Sequence, residues 1–157
     1  MNYLGLEKHT VEETVKGLNS LLANYQVYYQ NLRNYHWNIS GHHFFDLHEK
    51  FEELYNEAKV NIDEVAERIL TLRAAPVSTL AEYLQLSDVQ EYSTLDTREM
   101  VTSILSDHKK LISCMRSVID VAGKAGDEGT IDLVGGFLAS IEKKSWMLDA
   151  WVSGVGN

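Results

Sequence analysis

Five side chains able to hold a transition metal stand along one stretch of the chain: His36, His48, Glu52, Asp63 and Glu67. Imidazole and carboxylate together suit Fe(II), Mn(II) or Zn(II), and open coordination positions let an oxidant approach. A purely carboxylate set would suit Ca2+ or Mg2+ instead. His48 and Glu52 are four residues apart, as are Asp63 and Glu67, so each pair shares a face if the segment is helical. From 52 to 63 the helix turns to within about 20° of its starting direction but advances about 16 Å. One ion binds its ligands at about 2 Å, so the two pairs of one helix cannot share an ion. Two arrangements remain. Each pair has its own site, or two copies of the helix lie antiparallel across a two-fold axis. In the second, His48 and Glu52 of one subunit meet Asp63 and Glu67 of the other, and two equal sites appear per dimer. His36 can join the same cluster.

The elements that must carry these residues read as helices. Apolar and aromatic residues recur at 11, 15, 18, 22, 25, 29 and 32, alternating steps of four and three that mark one helix face. His36 is the next position in that register, so it falls on the inward stripe. Thr10 with Glu13 predicts a capping box at this helix's start. The stretch "SGHH" at 40–43 breaks the pattern. A second helix is predicted over about 44 to 73, with Leu47, Phe51, Leu54, Ala58, Ile62, Val65, Ile69 and Leu72 inward and Pro76 as its stop. The ligand face sits one residue off this stripe, where it flanks the subunit's own core and can meet a neighbour. The mixed stretch 76–96 holds one short helix, at "STLAEYLQL", and its length suits a crossover. A third helix starts near Asp96, with Glu99 three residues on, and turns Val101, Ile104, His108, Leu111, Met115, Val118 and Ala122 inward. "GKAGDEG" separates it from a fourth helix at about 130–152. Four long helices with one long connection between the second and third predict an all-α, ferritin-like four-helix bundle in a single domain.

Composition bounds the function. The chain has 157 residues, 45% of them apolar and 24% charged, which suits one globular domain with a real core. Its one proline permits long helices. Cys114 stands alone in an apolar helical stretch, which reads as a buried, inert thiol in a reducing compartment. No basic segment followed by an apolar run opens the chain, and no stretch approaches the roughly 18 apolar residues of a membrane span. A cytoplasmic protein is expected. The net charge of −9 repels nucleic acid unless a basic patch offsets it. The first fifteen residues hold one Lys and three Glu, and the closing "WVSGVGN" has no basic residue. A cation is the more natural partner.

The Glu-x-x-His motif of di-iron bundles is absent: Leu6, Arg33, Ile39, Ser40, Phe45 and Leu105 stand three residues before the six histidines. That argues against a site built inside one bundle. Instead "NYHWNISGHHFFDLHEKFEELY", followed by "IDEVAERIL" and "APVSTLAEYL", closely resembles the Dps family of miniferritins, the DNA-binding proteins from starved cells. The resemblance follows the whole helix pattern and is sharpest from about 30 to 85. It implies a dodecameric shell of four-helix bundles, each with a short helix in the crossover. It implies a two-iron ferroxidase centre between two-fold-related subunits, with His36, His48 and Glu52 from one chain and Asp63 and Glu67 from the other. Many relatives have Asp where this chain has Glu52; the extra methylene keeps the charge and alters the reach. The implied chemistry is oxidation of Fe(II), preferentially by hydrogen peroxide, with ferric mineral kept in the cavity. Trp37 matches a family residue thought to trap stray oxidising equivalents. Acids near the start of the last helix line the family's three-fold pores, and Asp127, Glu128 and Asp132 match them.

Each residue also has a plainer reading. A core histidine usually just finds a hydrogen-bond partner, which is the expectation for His108; for His36 the joint spacing favours a ligand. Acids on a helix face are usually solvated, but their spacing with His48 reverses that for Glu52, Asp63 and Glu67. His42 and His43 read as loop residues, and Trp37 can simply pack. Asp127, Glu128 and Asp132 compete with ordinary capping duty, since acids favour helix starts. Two other functions remain open: a DNA-compacting nucleoid shell, and a Zn or Mn buffer without turnover. Twelve subunits would carry about −108, which disfavours DNA.

Overall fold

The computed structural model describes residues 3–93 and 96–154. The outermost residues of the two segments read for basic tails lie outside them. Five α-helices are present and no strand among the described residues: α1 (Glu12–Asn38), α2 (Phe44–Thr71), α3 (Leu80–Leu86), α4 (Thr97–Ala125) and α5 (Glu128–Gly154). α1 packs on α2 and on α4, α4 packs on α5, and the short α3 lies along α1. This is the expected ferritin-like bundle with a helix in its crossover.

The periodic stripes meet in one core. Leu18, Leu22, Leu32, Phe51, Val65, Ile69, Ile104, Leu111, Met115 and Val134 are all buried. Ile62 is only half-buried, because the neighbouring Asn61 turns inward and donates to the Tyr25 hydroxyl at 3.1 Å. Cys114 is half-buried, and burial pushes its thiol up to about 11, which keeps it protonated and inert.

The helix ends differ in part from the sequence expectation. Thr10 does not cap α1. It closes a 3-10 turn at Lys8–Thr10 and donates its hydroxyl to the Glu7 carbonyl, while Glu13 pairs with Lys16. Nor does Pro76 end α2. The helix stops at Thr71, and Arg73 takes a left-handed conformation (φ 63°) so that its N–H reaches the Leu70 carbonyl and that of Ala74 the Ile69 carbonyl. This is the Schellman arrangement that satisfies a helix's last carbonyls. α4 ends in the same way on Gly126 (φ 68°). The two helices therefore absorb most of "GKAGDEG", and only Gly126 and Asp127 link α4 to α5. α4 starts at Asp96 as read, with Glu99 closing a capping box, and Thr79 and Glu82 close another at the start of α3.

The crossover is held to α1 by asparagines. Asn19 Oδ1 accepts from Val77 N at 2.9 Å, and Asn24 Oδ1 accepts from Asp88 N at 2.7 Å, Val89 N at 3.4 Å and Ser87 Oγ at 3.1 Å. Asn31 donates to the Gln90 carbonyl at 2.8 Å, and Asn34 donates to those of Tyr92 and Ser93 at 2.8 and 2.7 Å. These bonds satisfy backbone groups that no regular element serves.

Candidate metal centre

His36 stands near the end of α1 and His48 in the second turn of α2, across the short turn that joins the two helices. Their backbones and rings exchange bonds. His36 Nδ1 donates to the His48 carbonyl at 2.7 Å, and His48 Nδ1 donates to the His36 carbonyl at 2.8 Å. A carbonyl only accepts, so both Nδ1 atoms carry the proton. In the neutral ring this leaves the lone pair on Nε2, the form in which imidazole binds metal. The rings stack with centroids 3.8 Å apart and planes 17° from parallel. Phe44 stacks on His48 at 4.8 Å, and Tyr55 sets its edge against His36 at 5.3 Å. His36 is buried and His48 half-buried, so ring position is fixed by packing as well as by hydrogen bonds.

Glu52 lies one turn beyond His48 and is exposed. Its charge, after burial, raises the pKa of Tyr55. Asp63 and Glu67 are also exposed and stand farther along the same uninterrupted α2. The fold brings His36 to His48, with Glu52 one turn farther along α2, and leaves Asp63 and Glu67 about 16 Å up the helix from Glu52. Among the described residues of one chain, no three His, Cys, Asp or Glu groups are placed to hold one ion. The donor set does fit iron: two imidazoles with pre-oriented rings, an exposed carboxylate one turn beyond them, and two more carboxylates displayed for another surface.

Trp37 is 63% exposed, and the Arg33 guanidinium lies 5.5 Å from its ring and 4.5 Å from that of Tyr29. Of the acids near the start of α5, Glu128 and Asp132 are exposed. Asp127 is buried and caps the helix: it accepts from Thr130 N at 3.0 Å and Thr130 Oγ1 at 2.7 Å, and pairs with Arg68. Gly129 makes room for this clamp, since a Cβ there would lie 2.9 Å from Arg68 Nη2. His43 contacts Asp46 and the ring of Trp151 rather than His48.

Sequence reasoning missed Tyr55, the reciprocal histidine bonds and the partners of His108. His108 is buried, as expected of a core histidine, but its partners are Tyr28 and Ser145. The i,i+3 step from Glu52 to Tyr55 was a signal for the first. No local pattern announces pairs that lie far apart in sequence.

The bundle and its crossover define a ferritin-like protein, and the family model for the ferritin-like domain matches residues 15–155. The DNA protection during starvation protein of Porphyromonas gingivalis is 45% identical over 150 residues, which cover 95% of this chain and 94% of that protein. The crystal structure of a Dps protein from Vibrio cholerae O1, described as a ferritin-like diiron-carboxylate protein, superposes with a TM-score of 0.94 at 42% identity. It covers 97% of this chain and 96% of that one. A Dps protein from Bacillus brevis gives 0.90 at 39% identity, over 94% and 99%. The chain belongs to the Dps family. No helix among the described residues is long and apolar enough to cross a membrane.

Proposed function

We infer that the protein oxidises Fe(II) at centres shared between two-fold-related subunits and stores the ferric product inside a shell of twelve single-domain chains. The reciprocal Nδ1–carbonyl bonds of His36 and His48 carry this reading, because they hold two imidazoles in the metal-binding tautomer. In it, His36, His48 and Glu52 of one subunit and Asp63 and Glu67 of the partner subunit take Fe(II) as substrate. Hydrogen peroxide is the preferred oxidant. Two Fe(II) supply the two electrons that convert one peroxide to two waters, so hydroxyl radical is not released.

The remaining roles are those that the family resemblance implies. Trp37, exposed beside His36, takes stray oxidising equivalents. Glu128 and Asp132, exposed on the first turns of α5, meet Fe(II) on its way in, while Asp127 and Arg68 hold that turn in place. The workplace is the cytoplasm. Protection of DNA, which names several relatives, needs no DNA contact if it acts by removing iron and peroxide. The −9 charge supports weak binding at most, and a gel shift at low and moderate salt tests that.

The deciding experiment loads the anaerobic assembly with Fe(II) and adds half an equivalent of peroxide. The expected result is oxidation of nearly all the iron, faster than in a protein-free control, with no residual peroxide. His36→Ala and Asp63→Ala are expected to lose it while the shell stays assembled. Oxidation no faster than the control leaves only a passive metal-binding shell.

A further inference from the structure

Deep in the bundle, away from the metal ligands, Tyr28 and His108 form a chain of hydrogen bonds whose direction is fixed. The Ser145 hydroxyl lies 2.7 Å from the Ile141 carbonyl, and its single proton must go there. Ser145 Oγ therefore accepts from His108 Nδ1–H, at 2.8 Å. His108 Nε2 is then the unprotonated nitrogen, and the Tyr28 hydroxyl, 2.8 Å away, donates to it. Tyr28 thus faces a base. The other buried tyrosines do not. The Tyr25 hydroxyl receives a bond from Asn61 Nδ2, and that of Tyr35 meets Ser103 Oγ at 2.7 Å.

A phenol loses an electron far more easily when its proton can leave at the same time. An oxidised phenol is a much stronger acid than imidazolium. Transfer to His108 is therefore downhill even though burial pushes that imidazole down to about 3. The same burial makes the proton return readily once the electron is restored. Beside the pair lies a cavity of about 20 Å³, lined in part by Tyr25, Asn61, Glu57 and Lys144. It is large enough for a water molecule.

A series of aromatic rings, with one gap between Tyr25 and Tyr29, leads from the metal ligands towards this pair. Tyr55 touches His36, with centroids 5.3 Å apart, and Tyr29 touches Tyr55 at 6.0 Å. Tyr25 is one turn from Tyr29 on α1, within neighbour distance on a helix face. Tyr25 meets Tyr28 at 6.3 Å.

We propose that Tyr28 and His108 form an internal, refillable one-electron donor that completes peroxide reduction when a centre holds a single Fe(II). Peroxide then takes one electron from Fe(II) and one from Tyr28. With two protons from solvent at the centre it leaves as two waters. The Tyr28 proton crosses to His108 Nε2, leaving a phenoxyl radical and an imidazolium. A later Fe(II) returns the electron, and the proton returns with it. The source of oxidant rests on the ferroxidase reading; the redox property of the pair does not.

The test uses the metal-free assembly and a flash-generated ruthenium(III) tris-bipyridine oxidant, followed by absorbance and EPR. A persistent tyrosyl radical is expected in the wild type and lost in Tyr28→Phe. It is expected to be short-lived in His108→Gln, which accepts the same hydrogen bond but is no base. A persistent tyrosyl radical unchanged in Tyr28→Phe, or none at all in the wild type, overturns the proposal. Should Tyr28→Phe fail to assemble, ring-deuterated tyrosine in the wild type decides. The EPR splitting must collapse and its pattern must fit the Tyr28 ring geometry; a tryptophan signal overturns the proposal. Absence of peroxide-driven iron oxidation in the wild type would instead count against the ferroxidase reading alone.

Discussion

Asp107 shows what a single buried group does to this molecule. Its side chain is fully enclosed, Oδ2 accepts from Asn31 at 3.1 Å, and Oδ1 has no partner. Burial pushes its carboxyl up to about 6, against the opposing pull of Asn31 and Lys110. The folded state therefore holds this proton more tightly than the unfolded chain, where Asp titrates near about 3.9. Below that pH both states are protonated and nothing is lost. As pH rises towards 6 the unfolded state ionises first, and stability falls; above 6 the cost is constant. Asp107→Asn removes the charge, so it is expected to gain about 1–3 kcal/mol at pH 7.5 and almost nothing at pH 4. Paired urea unfolding curves at the two pH values check this, and an equal gain at both would refute it. At this scale the sequence was partly legible. The types and spacing of His36, His48, Glu52, Asp63 and Glu67 pointed to a metal. The reciprocal bond between His36 and His48 was not readable, because it joins backbone carbonyls across a turn, and backbone atoms leave no signature in residue type. The bond between Tyr28 and His108 was unreadable for a different reason: it joins side chains separated by 80 positions.

Elements are where legibility was greatest, since apolar periodicity follows from burying one face of a helix. The stripes of α1, α2 and α4 all lie inward, with Val15, Tyr29 and Ile62 half-buried at the margins. Ends were less legible because a cap depends on a conformation as well as on a residue type. Arg73 is the clearest example: Gly signals the left-handed end of α4, whereas α2 ends on an arginine. A non-glycine residue there costs about 1–2 kcal/mol, offset in part by the greater freedom of unfolded glycine. Arg73→Gly and Arg73→Ala both lose the guanidinium from the Tyr3 ring, 4.6 Å away. The glycine variant is expected to be the more stable of the two by about 1 kcal/mol, the reverse of ordinary helix preference, and their thermal midpoints measure it. The crossover is fastened by side chains rather than by its own periodicity, so sequence showed its length and α3 but not its anchors. Asn24→Ala strips an acceptor from Asp88 N, Val89 N and Ser87 Oγ at once. A loss of about 2–3 kcal/mol is expected, with faster proteolysis at residues 87–93. Unchanged proteolysis would mean that Asn31 and Asn34 suffice to hold the segment.

At the scale of the assembly the question is whether one centre draws on two chains. Within one subunit α2 runs without a break from Phe44 to Thr71, so nothing bends Asp63 and Glu67 back towards His36 and His48. Two centres per chain, or one centre shared across a two-fold axis, satisfy that geometry, and complementation separates them. His36→Ala and Asp63→Ala each damage a different half of a shared centre. In a dimer of one with the other, both lesions fall in a single centre, and the second centre is made of two intact halves. Random co-assembly makes half of the two-fold pairs mixed. About a quarter of all centres are then expected to be intact, although each variant alone has none. Peroxide-driven Fe(II) oxidation by shells refolded from an equal mixture should therefore recover to about a quarter of the wild-type rate. Separate centres built within one chain would show no complementation: each variant alone would keep its undamaged pair, and the mixture would only average the two. The experiment needs both variants to assemble. That is expected of Asp63, which is exposed on α2. It is expected of His36→Ala as well, because the turn beneath it keeps the bond from His48 Nδ1 to the carbonyl of residue 36, a backbone atom that the substitution does not remove.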